Sequence, residues 1–92
     1  MNNAKFEIKD NQLVFRSTGE AIPEDEPVFV LRGCDTTALG TLGVYRSSMR
    51  PVTANWKGVQ NVMNDFAAFR EANPGKMKPP SEAYSSKQKG DS

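Results

Sequence analysis

Pro27-Val28-Phe29-Val30-Leu31-Arg32-Gly33-Cys34-Asp35-Thr36-Thr37 is the stretch on which the fold turns. Four apolar residues in a row, two of them β-branched, suit a strand apolar on both faces, either central in a sheet or covered by another subunit. Gly33 interrupts the run, and Asp35 is placed to cap a helix that starts after it. A second parse stays open: Pro27 at the first position, preceded by Glu24, Asp25 and Glu26, also suits the opening turn of a helix. The glycine break favours the strand.

Upstream, Phe6-Glu7-Ile8-Lys9 and Gln12-Leu13-Val14-Phe15-Arg16 alternate apolar and polar residues around Asp10-Asn11, two residues that tolerate left-handed turn geometry. The pattern predicts a β-hairpin. Residues 17–27 contain Gly19, Pro23, Pro27 and the acidic cluster, lack any apolar period, and read as a loop. Downstream, Leu39, Leu42, Tyr45, Arg46 and Met49 recur at helical spacing as far as Pro51. Gly40 and Gly43 weaken this helix by about 1 kcal/mol each, so close backbone contact is expected of them.

Trp56, Val59, Val62, Met63, Phe66 and Phe69 form the widest apolar stripe of the chain. Thr53 is its natural N-cap and Asn73-Pro74-Gly75 its stop, which predicts a helix over residues 54–72. Residues 76–92 hold Pro79, Pro80, serines and lysines, with Tyr84 as the one aromatic; such a composition predicts a disordered basic and polar tail. The expected fold class is therefore α+β. A small antiparallel sheet, hairpin plus third strand, is covered by two helices in a compact domain of residues 1–75, and the tail of residues 76–92 follows.

Ninety-two residues with one cysteine, Cys34, and no histidine exclude an intrachain disulfide and the usual structural zinc site. A chain this short buries only about 60–65% of its unfolded surface, so oligomerisation is the expected source of further burial. Without histidine there is no imidazole base or catalytic triad, and no phosphate-loop motif is present. The expectation is a protein that is not an enzyme, with no cofactor and no metal. Twelve basic against eleven acidic residues, a net charge of +1, disfavour extended nucleic acid as a partner. No apolar run reaches the roughly 20 residues of a membrane span, residues 1–5 lack the apolar core of a signal peptide, and a free cysteine suits a reducing cytoplasm.

The candidate ligand site is the 32–37 junction. A strand end leading into a helix start presents free N–H groups and the positive end of the helix dipole. Arg32 adds a planar donor for phosphate, Gly33 room for a close ligand, Thr36 and Thr37 hydroxyls, and Arg46 a second cation. Against that, Asp35 can satisfy the same N–H groups itself, and its charge repels an anion. Cys34 beside the dipole invites a thiolate reading, although a small half-buried residue in a tight connection is the plainer one. Trp56 and Phe69 have the spacing of core residues rather than of a stacking platform.

Glu26-Pro27-Val28-Phe29-Val30-Leu31-Arg32-Gly33-Cys34-Asp35, and the stretch from Asp65-Phe66-Ala67-Ala68-Phe69-Arg70 through Asn73-Pro74-Gly75-Lys76-Met77-Lys78-Pro79, resemble segments of short bacteriophage accessory proteins. The resemblance implies a phage-encoded protein acting in the bacterial host cytoplasm by binding. One form is an oligomeric sponge that sequesters a phosphate-bearing nucleotide signal of host defence. The other is a protein–protein interaction module, either an inhibitor of a host protein or a small virion component.

Overall fold

The computed structural model describes residues 5–85. The chain divides into two compact units, within residues 1–30 and 31–92, where one domain over residues 1–75 is expected; each unit is described by itself. The class is α+β, with a two-stranded antiparallel sheet and three α-helices among the described residues.

In the first unit, β1 (Phe6–Lys9) and β2 (Gln12–Phe15) pair with Phe6 opposite Phe15 and Lys9 opposite Gln12. Asp10 and Asn11 both take positive φ, 52° and 62°, the geometry a two-residue turn needs to match strand twist. The Phe6 and Phe15 rings sit 4.8 Å apart, and Val14, only 3% exposed, is the buried residue among the described residues of this unit.

The third strand expected at residues 28–31 is not found; these residues are in neither strand nor helix. The free edge of β2 is taken instead by the loop that follows it. Gly19, at φ 77°, turns the chain back, Ala21 bridges Val14, the Phe15 N–H donates to Glu20 O and the Ile22 N–H to Leu13 O, each at 2.8 Å. That pairing fills the side of β2 away from β1.

In the second unit, α1 (Ala38–Ser47) packs on α2 (Ala54–Ala72). The bounds of α2 and the Thr53 cap are those expected: Thr53 Oγ1 accepts the Trp56 N–H at 3.3 Å. Of the two α1 glycines, Gly43 does approach α2, since a Cβ there would meet Met63 Cε at 3.6 Å, whereas Gly40 faces open space. A 3-10 turn (Pro74–Lys76) and a single-turn helix α3 (Pro80–Ala83) follow. The expected tail is thus corrected over residues 76–85, which are built into this unit; residues 86–92 lie outside the described residues. Cys34, Asp35, Ala38 and Ala83 are its buried residues, and no large side chain is fully buried anywhere among the described residues. The core is as thin as the chain length implies.

Candidate functional site

The 32–37 junction is closed from within the chain. Lys78 lies alongside it as a one-residue parallel bridge to Asp35: its N–H donates to Cys34 O at 2.8 Å, and its carbonyl accepts the Thr36 N–H at 2.9 Å. Asp35, buried, accepts both the N–H and the hydroxyl of Thr37 on Oδ1 at 2.8 Å, and the Tyr84 hydroxyl on Oδ2 at 2.8 Å. That same hydroxyl accepts the Arg32 N–H at 3.0 Å. The Arg32 guanidinium donates through Nη1 to the carbonyl of Ala83, at the end of α3.

Asp35 and Tyr84 are shifted in opposite directions. The Thr37 N–H, opposed by desolvation and aided by the Thr37 and Tyr84 hydroxyls, holds the Asp35 carboxyl below its ordinary value. Burial, together with the adjacent Asp35 charge, holds the Tyr84 phenol above its own, outweighing the stabilising Arg32 N–H. At neutral pH the junction carries a carboxylate where a phosphate would need to sit.

The expected ligand residues are only partly brought together. Arg32, Gly33, Thr36 and Thr37 lie within the one junction, on either side of buried Cys34 and Asp35, with the two threonines exposed. Gly33 admits a neighbour rather than a ligand: a Cβ there would lie 3.6 Å from the Phe69 ring. Arg46 is elsewhere, nine residues along α1 from Thr37, about 13 Å by helical rise. Its guanidinium sits over the Trp56 ring at 5.2 Å and donates to Gln60 Oε1, so it joins the two helices. Cys34 is buried. No group of His, Cys, Asp and Glu able to hold a metal ion occurs among the described residues, and no described helix is long and apolar enough to cross a membrane.

Two features escape a reading by residue type. Tyr84 completes the junction, and its one sequence signal is being the sole aromatic of the expected tail. In the first unit, an open cleft of about 400 Å³ is rimmed by Asp10, Glu24 and Glu26 over Leu13, Ile22 and Val28, a lining unsuited to an anion. Val28, Phe29 and Val30 are 56%, 77% and 65% exposed. No protein-family model, no curated protein and no solved structure matches this chain.

Proposed function

We propose that the protein acts by binding another protein, with residues 24–31 as the contact segment and without chemistry of its own. The observation that carries this reading is the consecutive exposure of Val28, Phe29 and Val30, in a run that lies outside helix and strand. Contiguous apolar exposure on a small protein marks an interaction site. Apolar residues on both faces let the run add to the sheet edge of a partner or lie in an apolar groove. Glu24, Asp25 and Glu26, immediately before it, select and steer a partner with a basic rim.

The phage resemblance makes a host protein, such as a defence enzyme, the natural partner class, with a virion component as the other. The nucleotide-sequestering reading has weaker support. It needs the donors of Arg32, Thr36 and Thr37, and Ala83 takes a guanidinium N–H of Arg32, Lys78 the Thr36 N–H, and Asp35 both the N–H and the hydroxyl of Thr37. Capture from bacterial lysate with the wild-type chain and with Phe29→Ser tests the proposal: one stoichiometric partner is expected, retained by the first and lost by the second. Equal capture by both chains contradicts it.

A further inference from the structure

We infer that β1 is a self-association edge: a second copy of this chain pairs antiparallel with it about a two-fold axis at Ile8, joining two hairpins into a four-stranded sheet. This inference is independent of residues 24–31 and of what they bind.

The hairpin geometry dictates which backbone groups are offered. The Arg16 N–H donates to Lys5 O at 2.8 Å, and a two-residue turn makes Lys9 and Gln12 a hydrogen-bonded pair. Lys5, Glu7 and Lys9 therefore turn their amides and carbonyls inward, toward β2, and Phe6 and Ile8 turn theirs to the outer edge. The far side of β2 is closed by Glu20 and Ile22, while no strand or bridge among the described residues covers the outer side of β1. The edge carries no proline and no bulge to protect it. Ile8, in its middle, is 78% exposed. A two-stranded sheet is marginal by itself, and four strands are not.

Only pairings that set outward-facing residues opposite each other form bonds, which leaves three short two-fold registers. Centred on Phe6, the pairing sets Phe6 against Phe6 and Lys5 against Glu7 of the other copy, but Phe6 is then the one residue of β1 that meets β1. Centred on Glu7, the pairing sets Glu7 against Glu7 of the other copy and Lys5 against Lys9, all like charges. Centred on Ile8, it sets Ile8 against Ile8 and each Glu7 against Lys9 of the other copy. Like charges exclude the Glu7 register, and the longer overlap of β1 with β1, Glu7, Ile8 and Lys9 against Phe6 alone, selects the Ile8 register. In that register Phe6, Ile8, Leu13 and Phe15 of both copies share one face, since alternate residues of a strand and their direct partners lie on the same side.

Sedimentation equilibrium of the full chain tests the edge. The wild-type chain is expected to dimerise, and Ile8→Lys to be monomeric with an unchanged circular dichroism spectrum. Glu7→Lys is expected to weaken the dimer by about tenfold, because two attractive pairs become repulsive. Combining it with Lys9→Glu restores the dimer. Ile8→Cys should cross-link on mild oxidation much faster than Lys9→Cys, because a hydrogen-bonded antiparallel pair has Cα atoms about 5.5 Å apart, within disulfide reach. A monomeric wild-type chain overturns the inference. So does a dimer indifferent to Ile8→Lys or to the charge reversals, or equal cross-linking at the two positions.

Discussion

The Tyr84 hydroxyl donates to Asp35 Oδ2 at 2.8 Å across 49 residues of sequence, and the same oxygen accepts the Arg32 N–H. One hydroxyl thus serves both sides of the 32–37 junction. The bond holds the end of the described chain against the start of the second unit and occupies groups that an anion would otherwise find.

Removing that hydroxyl is a small chemical change with a defined expectation. Tyr84→Phe keeps the ring and deletes two hydrogen bonds, one of them to a carboxylate. Such a loss lowers the melting temperature of a domain this size by roughly 4–8 °C. Hydrogen exchange should show the Arg32, Thr36 and Lys78 amides opening faster, while the middle of α2 is unchanged. Uniform acceleration across α2 would mean that the bond is not local.

The two titrating groups give this junction opposite limits in pH. The folded value of Asp35 lies below 3.8, so its contribution is complete above that pH and is lost as pH falls through the lower folded value. The folded value of Tyr84 lies above 10.0, so its contribution is complete below pH 10.0 and is lost as pH rises through the higher one. In thermal melts across pH, Asp35→Asn should flatten the acid limb and Tyr84→Phe the alkaline limb. By NMR, Tyr84 should titrate above pH 10.0, and at lower pH once Asp35 is neutralised.

Much of the local structure is legible in residue order. Asp10-Asn11 dictates the hairpin turn, and Thr53 with Asn73-Pro74-Gly75 brackets α2 at both ends. The third strand is misplaced because the partner of β2 is a backbone pairing through Glu20, Ala21 and Ile22, set up by the left-handed turn at Gly19; none of these has an apolar period to announce it. The tail misleads for a related reason. Composition reports how little side-chain area residues 76–85 can bury, while their attachment runs through the Lys78 backbone, the Ala83 carbonyl and one tyrosine hydroxyl. At the site, Asp35 is expected as the N-cap of the helix, but the N-cap position falls to Thr37, without a side-chain cap bond, and the Asp35 carboxylate accepts the Thr37 N–H in the turn before α1. The long-range partner of Asp35 is not visible in sequence.

The glycines of α1 offer a test of packing. Nothing within 4 Å would meet a Cβ at Gly40, and at Gly43 the contact with Met63 is an ordinary 3.6 Å. Gly40→Ala and Gly43→Ala should each stabilise the protein by about 0.5–1 kcal/mol in denaturant melts. A loss at Gly43 alone would show that α1 and α2 are closer than described.

Val52 is the β-branched residue with a left-handed backbone, φ 66°, in the link before α2, and it is largely exposed. That conformation costs a β-branched residue about 1–2 kcal/mol. Val52→Gly is expected to stabilise by roughly 1 kcal/mol once the added chain entropy of glycine is counted. A clear loss of stability would mean that the Val52 side chain makes compensating contacts.

On the proposed reading, recognition lies in the exposed apolar run and not in the closed junction. A photo-activatable phenylalanine analogue placed at position 29, and in a second chain at position 36, tests this directly in bacterial cytosol. The expected result is one discrete protein adduct from position 29, competed by unlabelled wild-type chain, and none from position 36. An adduct confined to position 36, or a nucleotide bound at the junction with position 29 silent, would contradict it.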